Sequence, residues 1–311
     1  MVKGSNESGL TVALAFAANV LIAAAKSAAA AVTGSASMVA EAAHSWADTG
    51  NEVLLMVANQ RSRRAADINH PLGYGREAYI WSMFAALGLF ALGAGVSVTH
   101  GVQELLHPEP AADFTVAYLV LGVSAVLEGI SFRQSVRQLR SEAPQFDRTL
   151  LEHAVRTSDP TTRAVFAEDG GALVGLLLAF LGILLHQLTG YAGWDALGSI
   201  AVGLLLAVIA IVLVDRNRRF LVGVEASPTL RAAIIATLLA IPEVERVTFL
   251  RTEYLGPKRI YLVASIDLRG DEVESQVAER LRAIAAELET DEHVVRAVLS
   301  LSTADQPSIV G

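Results

Sequence analysis

The chain has 311 residues, 53% of them hydrophobic and 18% charged, with a net charge of −8 and no cysteine. Soluble domains run nearer roughly 45–50% apolar and about 25% charged, so the excess points to several membrane spans. The acidic balance argues against nucleic acid as a partner, and the missing cysteines exclude disulfides, thiolate metal sites and cysteine nucleophiles and disfavour Cu(I) as a cargo.

The opening residues, MVKGSNESG, are too short and polar to head a cleavable signal, so the first apolar run is expected to be a retained span. A bilayer core takes about 20 apolar residues per helix. Six segments qualify: 10–32, 36–59, 78–100, 115–136, 164–188 and 195–215, the fourth and fifth interrupted by acidic residues. The connections after spans one, three and five carry no Lys or Arg, whereas Arg61, Arg63, Arg64 and Arg76 follow span two, Arg133 to Arg163 crowd the connection after span four, and Arg216, Arg218 and Arg219 follow span six. By the positive-inside rule both termini are cytoplasmic and the three arginine-free loops lie outside. With no targeting signal in view, a bacterial plasma membrane is the expected location.

Beyond Arg219 the composition becomes that of a small soluble domain. SPTLRAAIIATLLAI reads as an amphipathic helix starting at a Ser-Pro cap, VERVTFLRTEYLG and RIYLVASIDL as strands joined at Gly256-Pro257, DEVESQVAERLRAIAAELE as a charged helix and HVVRAVLSLS as a last strand. This α-β-β-α-β order predicts a ferredoxin-like α+β sandwich. The expected division is a six-helix membrane domain over 1–219, a cytoplasmic ferredoxin-like domain over 220–303, and a loose tail over 304–311.

The chemistry sits inside the spans. Span two, ASMVAEAAHSWADTGNEVLLMVANQ, places His44 and Asp48 four residues apart, about 5–6 Å between Cβ atoms on one helix face. An imidazole and a carboxylate at that spacing can reach one metal ion, which removes the cost of burying them in lipid, about 2.5–3.5 kcal/mol for a central Asp. Glu41, Asn51 and Glu52 extend the same polar stripe, with Glu52 expected to be solvated near the helix end. A tetrahedral site needs about four ligands. Span five supplies Glu168 and Asp169, neighbours that point about 100° apart, so that one faces the metal and the other takes a proton, a water or a supporting role. The following Gly170-Gly171 pair admits another helix closely. Glu128 in span four is open as a third-helix ligand, a proton carrier or a partner for Lys26. Lys26 itself reads either as a side chain snorkelling to the interface or as a counter-charge to a buried carboxylate. His70 with Asp67 reads as a solvated loop pair, His100, His107 and His186 as interfacial residues, and His153 and His293 as surface positions.

With these residues in view, the chain resembles the cation diffusion facilitator family over nearly its whole length. The resemblance is carried by GSASMVAEAAHSWADTGNE (34–52), INHPLGYGRE (68–77), the acids of span five and RVTFLRTEYLGPKRIYLVASIDL (246–268). It implies six spans, a cytoplasmic ferredoxin-like domain, a homodimer, and export of Zn²⁺ or a related ion against inward protons. It also implies that His44 and Asp48 form one ligand pair and that Asp169 belongs to the other. Val165 stands where zinc-carrying members place His or Asp; Glu168, together with LEGISF (127–132), is similar to the zinc transporter 9-like branch. Asp67 and His70 match a peripheral site, but Tyr74 replaces its second His. Thr248, Ala264 and Ser300 stand where metal-binding soluble domains of the family carry His, so this domain is expected to dimerise without metal.

The expected function is divalent cation efflux by alternating access, a metal/proton antiport with Zn²⁺ favoured by the mixed nitrogen and oxygen donors and Mn²⁺, Co²⁺ or Fe²⁺ open. The ion is cargo, and no prosthetic group is expected. The candidate ligands are His44, Asp48, Asp169, Glu168 and Glu128. The rivals are an intramembrane metal-dependent hydrolase, against which no HExxH or GxSxG signature is present, and a non-transporting metal-sensing membrane protein.

Overall fold

The structure, a computed structural model, describes residues 4–108 and 114–309, with side chains from Phe16 onward except Gln145. Residues 1–3 of the polar leader, part of the connection between spans three and four, and the last two tail residues lie outside the described residues. Helix α1 covers Gly4–Thr33 and stops at Gly34, whose φ of 63° is the left-handed conformation that glycine adopts freely. Helix α2, Ala36–Ser62, follows after Ser35, whose hydroxyl accepts a bond from the Met38 amide. Helix α3 (Glu77–Gly88) passes through a π-helical segment, Leu89–Ala94, into α4 (Gly95–Leu106). Helix α5 is Phe114–Glu142, and a 3-10 turn (Ala143–Phe146) and the short α6 (Leu150–Arg156) lead to α7 (Pro160–Thr189) and α8 (Gly193–Val222).

Among the described residues, α1 from Phe16, the α3–π–α4 stretch, α5, α7 and α8 are long and apolar enough to cross a membrane. The second span of the sequence reading, α2, has the length but carries Glu41, Asp48 and Glu52, which lower its hydropathy below that of its neighbours. Its polar stripe is turned inward: Glu41, His44, Ser45, Thr49 and Asn51 are buried. A helix that hides its polar face among neighbours need not be apolar all round to lie in a bilayer.

The small domain has the predicted order: α9 (Pro228–Ala240), β1 (Val244–Gly256), β2 (Arg259–Leu268), α10 (Glu274–Leu288) and β3 (Val294–Leu301). Ser227 caps α9 by accepting from the Leu230 amide, with Pro228 at the first helical position. Strands β1 and β2 pair antiparallel with Leu250 opposite Ala264, and β2 and β3 pair parallel with Ala264 opposite Leu299. The parallel pair needs a crossover, which α10 provides. Burial alternates strictly along β2, and its inward residues Leu262, Ala264 and Ile266 pack with Ile235, Leu238 and Ile284 of the helices.

The chain divides into two compact units, and the division interleaves in sequence. One contains residues up to Ala58, Trp81–Leu139 and Thr161–Arg216. The other adds Asn59–Ile80 and Arg140–Pro160 to everything from Asn217 onward. Within the second unit Tyr79 is fully buried, stacks on Phe220 at 5.0 Å and donates its hydroxyl to the Ser158 carbonyl at 3.0 Å. The Lys258 amide donates to Ser158 Oγ at 3.1 Å, and Arg76 pairs with Glu253. Gly75 lies against the β1–β2 turn so closely that a Cβ there would sit 2.4 Å from the Leu255 carbonyl oxygen.

Two expectations change here. His153 is not a surface residue: it is buried, stacked on Phe146 at 5.2 Å, with Nε2 3.4 Å from a Glu142 carboxylate oxygen. The 3-10 turn before α6 folds the chain back over it, a contact that spacing in the sequence does not reveal. The tail is not loose either. The Ser302 amide donates to the Ile266 carbonyl, the Ile309 amide donates to the Val247 carbonyl at 2.8 Å, and Ile309 packs on the core of the domain.

Candidate cation site

The membrane unit holds a cavity of about 360 Å³ between α1, α2, α5 and α7. Its polar lining includes Asp48 and Glu52 from α2, Glu128 and Ser131 from α5, and Glu168 and Asp169 from α7. Four of the five expected ligands therefore face one space. Both acids of α7 reach it, each with its own donor: Asn51 Nδ2 gives a hydrogen bond to Glu168 Oε1 at 3.1 Å, and Ser131 Oγ gives one to Asp169 Oδ2 at 2.8 Å. Both members of this neighbouring pair, expected to divide the roles of ligand and helper, line the cavity. Gly170 abuts the Phe132 ring of α5 and Gly171 abuts Ile209 of α8, so α7 has close neighbours on two sides, as the glycine pair suggested.

His44 is set behind the cavity wall. It is fully buried, and its Nε2 lies 3.3 Å from Asp48 Oδ2 without the alignment of a hydrogen bond, so neither ring nitrogen has a hydrogen-bond partner among the described residues. Buried imidazole nitrogens that lack hydrogen bonds are costly, and a cation or a proton is what they can accept. Among the described residues, no three His, Asp or Glu side chains form a ligand set, although four of the acids line one cavity.

The other polar groups sort themselves clearly. Lys26 does not snorkel: its ammonium is 2.9 Å from Glu41 Oε2, and both side chains are fully buried. Its partner is Glu41, which leaves Glu128 free to face the cavity. Glu52 was expected to be simply solvated; it lines the cavity and accepts a bond from Asn19 Nδ2 at 2.9 Å. His186, expected at an interface, is buried edge-on to Phe114. His70 and Asp67 are exposed. The Tyr74 hydroxyl donates to Asp67 Oδ2 at 2.6 Å, and the Asn69 and His70 amides donate to Oδ1. Those donors, Tyr74 first, hold the Asp67 carboxyl below the usual carboxylate range, and the same bond raises the Tyr74 phenol. In the small domain Ala264 is in the core, Thr248 bonds to Ser302 at 2.6 Å and Ser300 bonds to Ser265 at 2.9 Å, so these three positions are occupied by packing and hydroxyl pairs.

The sequence reading missed Asn51, Ser131 and Asn19 as the donors that hold the acids. Asn51 is visible in the sequence as part of the α2 stripe but its partner lies on α7, and Asn19 and Ser131 are single neutral polar residues within long spans.

A bundle of long apolar helices around an acidic intramembrane cavity, joined to a small α+β domain, defines an integral membrane protein of the ion-handling class. Residues 12–222 match the cation efflux transmembrane domain, and the chain belongs to the cation efflux family. This is a family of transporters, not of enzymes, and the hydrolase alternative falls with that membership. The chain is 35% identical over 243 residues to metal tolerance protein C4 of Arabidopsis thaliana, covering 78% of this chain and 53% of that protein. It is 33% identical over 248 residues to the proton-coupled zinc antiporter SLC30A9, mitochondrial, of Homo sapiens, covering 80% and 44%. Magnetosome protein MamM of Paramagnetospirillum magneticum is 24% identical over 232 residues, covering 72% and 66%. The chain thus spans about half the length of the first two relatives.

Proposed function

We propose that the chain exports a divalent metal cation, Zn²⁺ before Mn²⁺, Co²⁺ or Fe²⁺, by alternating access in exchange for protons. The observation that carries this reading is the convergence of Asp48, Glu128, Glu168 and Asp169 from three helices on one cavity in the membrane unit. Lipid penalises such charges unless something cancels them. A divalent ion does so, and so do protons; both together are redundant, and that mutual exclusion couples the two flows. Asp48, Asp169 and Glu168 supply oxygens, His44 the nitrogen donor that favours zinc over harder ions, and Glu128 a further carboxylate from α5. The two relatives named for metal tolerance and proton-coupled zinc antiport support the same reading.

In this proposal residues 1–219 are the transport domain, with α2 as the sixth span. The arginine-rich helix ends face the cytoplasm of a bacterial plasma membrane, and residues 220–303 dimerise there. The cavity is lined from the arginine-rich halves of α2, α5 and α7, which supports reading it as a chamber on the cytoplasmic side. The test is uptake of Zn²⁺, Mn²⁺ and Co²⁺ into proteoliposomes under an imposed pH gradient. Asp48→Asn and Asp169→Asn are each expected to lower flux by about tenfold or more, the scale of losing a metal-site interaction. Flux equal to wild type in both variants would remove these residues from the route.

A further inference from the structure

Three helices independently give the same order of groups along the membrane unit. On α2 the sequence from the cavity outward is Asp48, His44, Glu41, Met38; on α1 it is Asn19, Lys26, Ala30; on α7 it is Glu168, Gly175, Ala179. Met38, Ala30 and Ala179 belong to one buried apolar cluster with Leu121 of α5, which closes that end. The Lys26–Glu41 pair therefore lies between the cavity and the closed end, one helical turn beyond His44.

The pair has features that a structural staple does not need. A buried ion pair gains little over apolar side chains of the same volume. Among the described residues only one oxygen of Glu41 is used: Oε1 is buried without a hydrogen-bond partner and lies against Gly175, where a Cβ would come within 2.9 Å of it. One turn away both nitrogens of His44 are buried without a hydrogen-bond partner among the described residues, Nε2 lying 3.3 Å from Asp48 Oδ2. An ion leaving the cavity toward the closed end meets His44, then a carboxylate already holding a cation.

We propose that Glu41 is a second, transient site for the divalent cation, and that the Lys26 ammonium is the resident cation that fills it and bars the closed end until the travelling ion displaces it. The proposal rests on the transport reading above. A lysine and a divalent ion compete for the same carboxylate, so the bar opens when an ion arrives and closes again when it leaves, and Glu41 is never left with an uncancelled charge in lipid.

The test measures Zn²⁺ flux in proteoliposomes and Zn²⁺ binding to the detergent-solubilised full chain. It compares wild type with the double variant Lys26→Met/Glu41→Met and the charge swap Lys26→Glu/Glu41→Lys. Apolar replacement of a buried pair commonly preserves folding, and the swap keeps both charges. Both variants are expected to bind Zn²⁺ within about threefold of wild type while flux falls by about tenfold or more. Flux within about twofold of wild type in either variant would overturn the proposal, because the pair would then be a staple. Loss of binding in both would overturn it as well, by placing Glu41 among the central ligands. A wild-type chain that binds Zn²⁺ but carries none sinks the transport reading itself. Flux lost in Asp48→Asn but kept in the double variant sinks only the second site.

Discussion

Asn51 shows how much a neutral side chain can matter beside a charged one. Its amide donates to Glu168 Oε1 at 3.1 Å, so it holds one oxygen of a carboxylate that lines the cavity. Asn51→Leu keeps the volume and removes the donor. Zn²⁺ affinity is expected to fall about 10- to 100-fold, the scale set by losing a support to a metal ligand, in a competition titration against a zinc dye. Unchanged affinity would make the bond incidental. The acids were legible in the sequence because charge in an apolar span stands out. Asn51 and Ser131 were not, since whether a neutral donor meets a carboxylate on another helix depends on how the two helices are rotated. Lys26 was legible only as a choice between two roles, because its partner Glu41 is on a different helix.

The start of α2 is held from another element. Asp195 at the head of α8 accepts from the Ala36 amide at 2.8 Å, the Ser37 amide at 3.1 Å and the Ser35 hydroxyl at 2.9 Å. A carboxylate at a helix N-terminus satisfies donors that have no partner within the helix and opposes the positive end of the dipole. Asp195→Ala strands those buried donors, at a cost of about 1–3 kcal/mol. A lower apparent melting temperature in detergent, with Zn²⁺ affinity falling in parallel as α2 loosens, is the expected result; Asp195→Asn should recover part of both. At this scale the elements of the small domain were readable from periodicity and turn residues, and five spans from apolar length. The tail and α6 were not. Their partners, the Val247 carbonyl for Ile309 and Glu142 for His153, are fixed by chain reversal that no local pattern records.

For the molecule as a whole, the fold class was visible in composition and element order, but the interleaving of the two units was not. The loop after α2 and the connection after α5 join the second unit through contacts such as Gly75 on the β1–β2 turn and Tyr79 on Ser158, all distant in sequence. Gly75→Ala places a methyl group into a backbone carbonyl, which neither side can yield without moving. Hydrogen exchange is expected to accelerate in residues 72–76 and 253–258 together, while the amides of α7 keep their protection; acceleration in one segment alone would show that they are not tied.

Helix α2 runs unbroken from its cap at Asp195 through His44 and Asp48 to Ser62, and its final turn belongs to the second unit. The imidazole and the carboxylate are thus carried on one continuous rod, so a slide or a turn of α2 about its own axis would displace both side chains together and by the same amount.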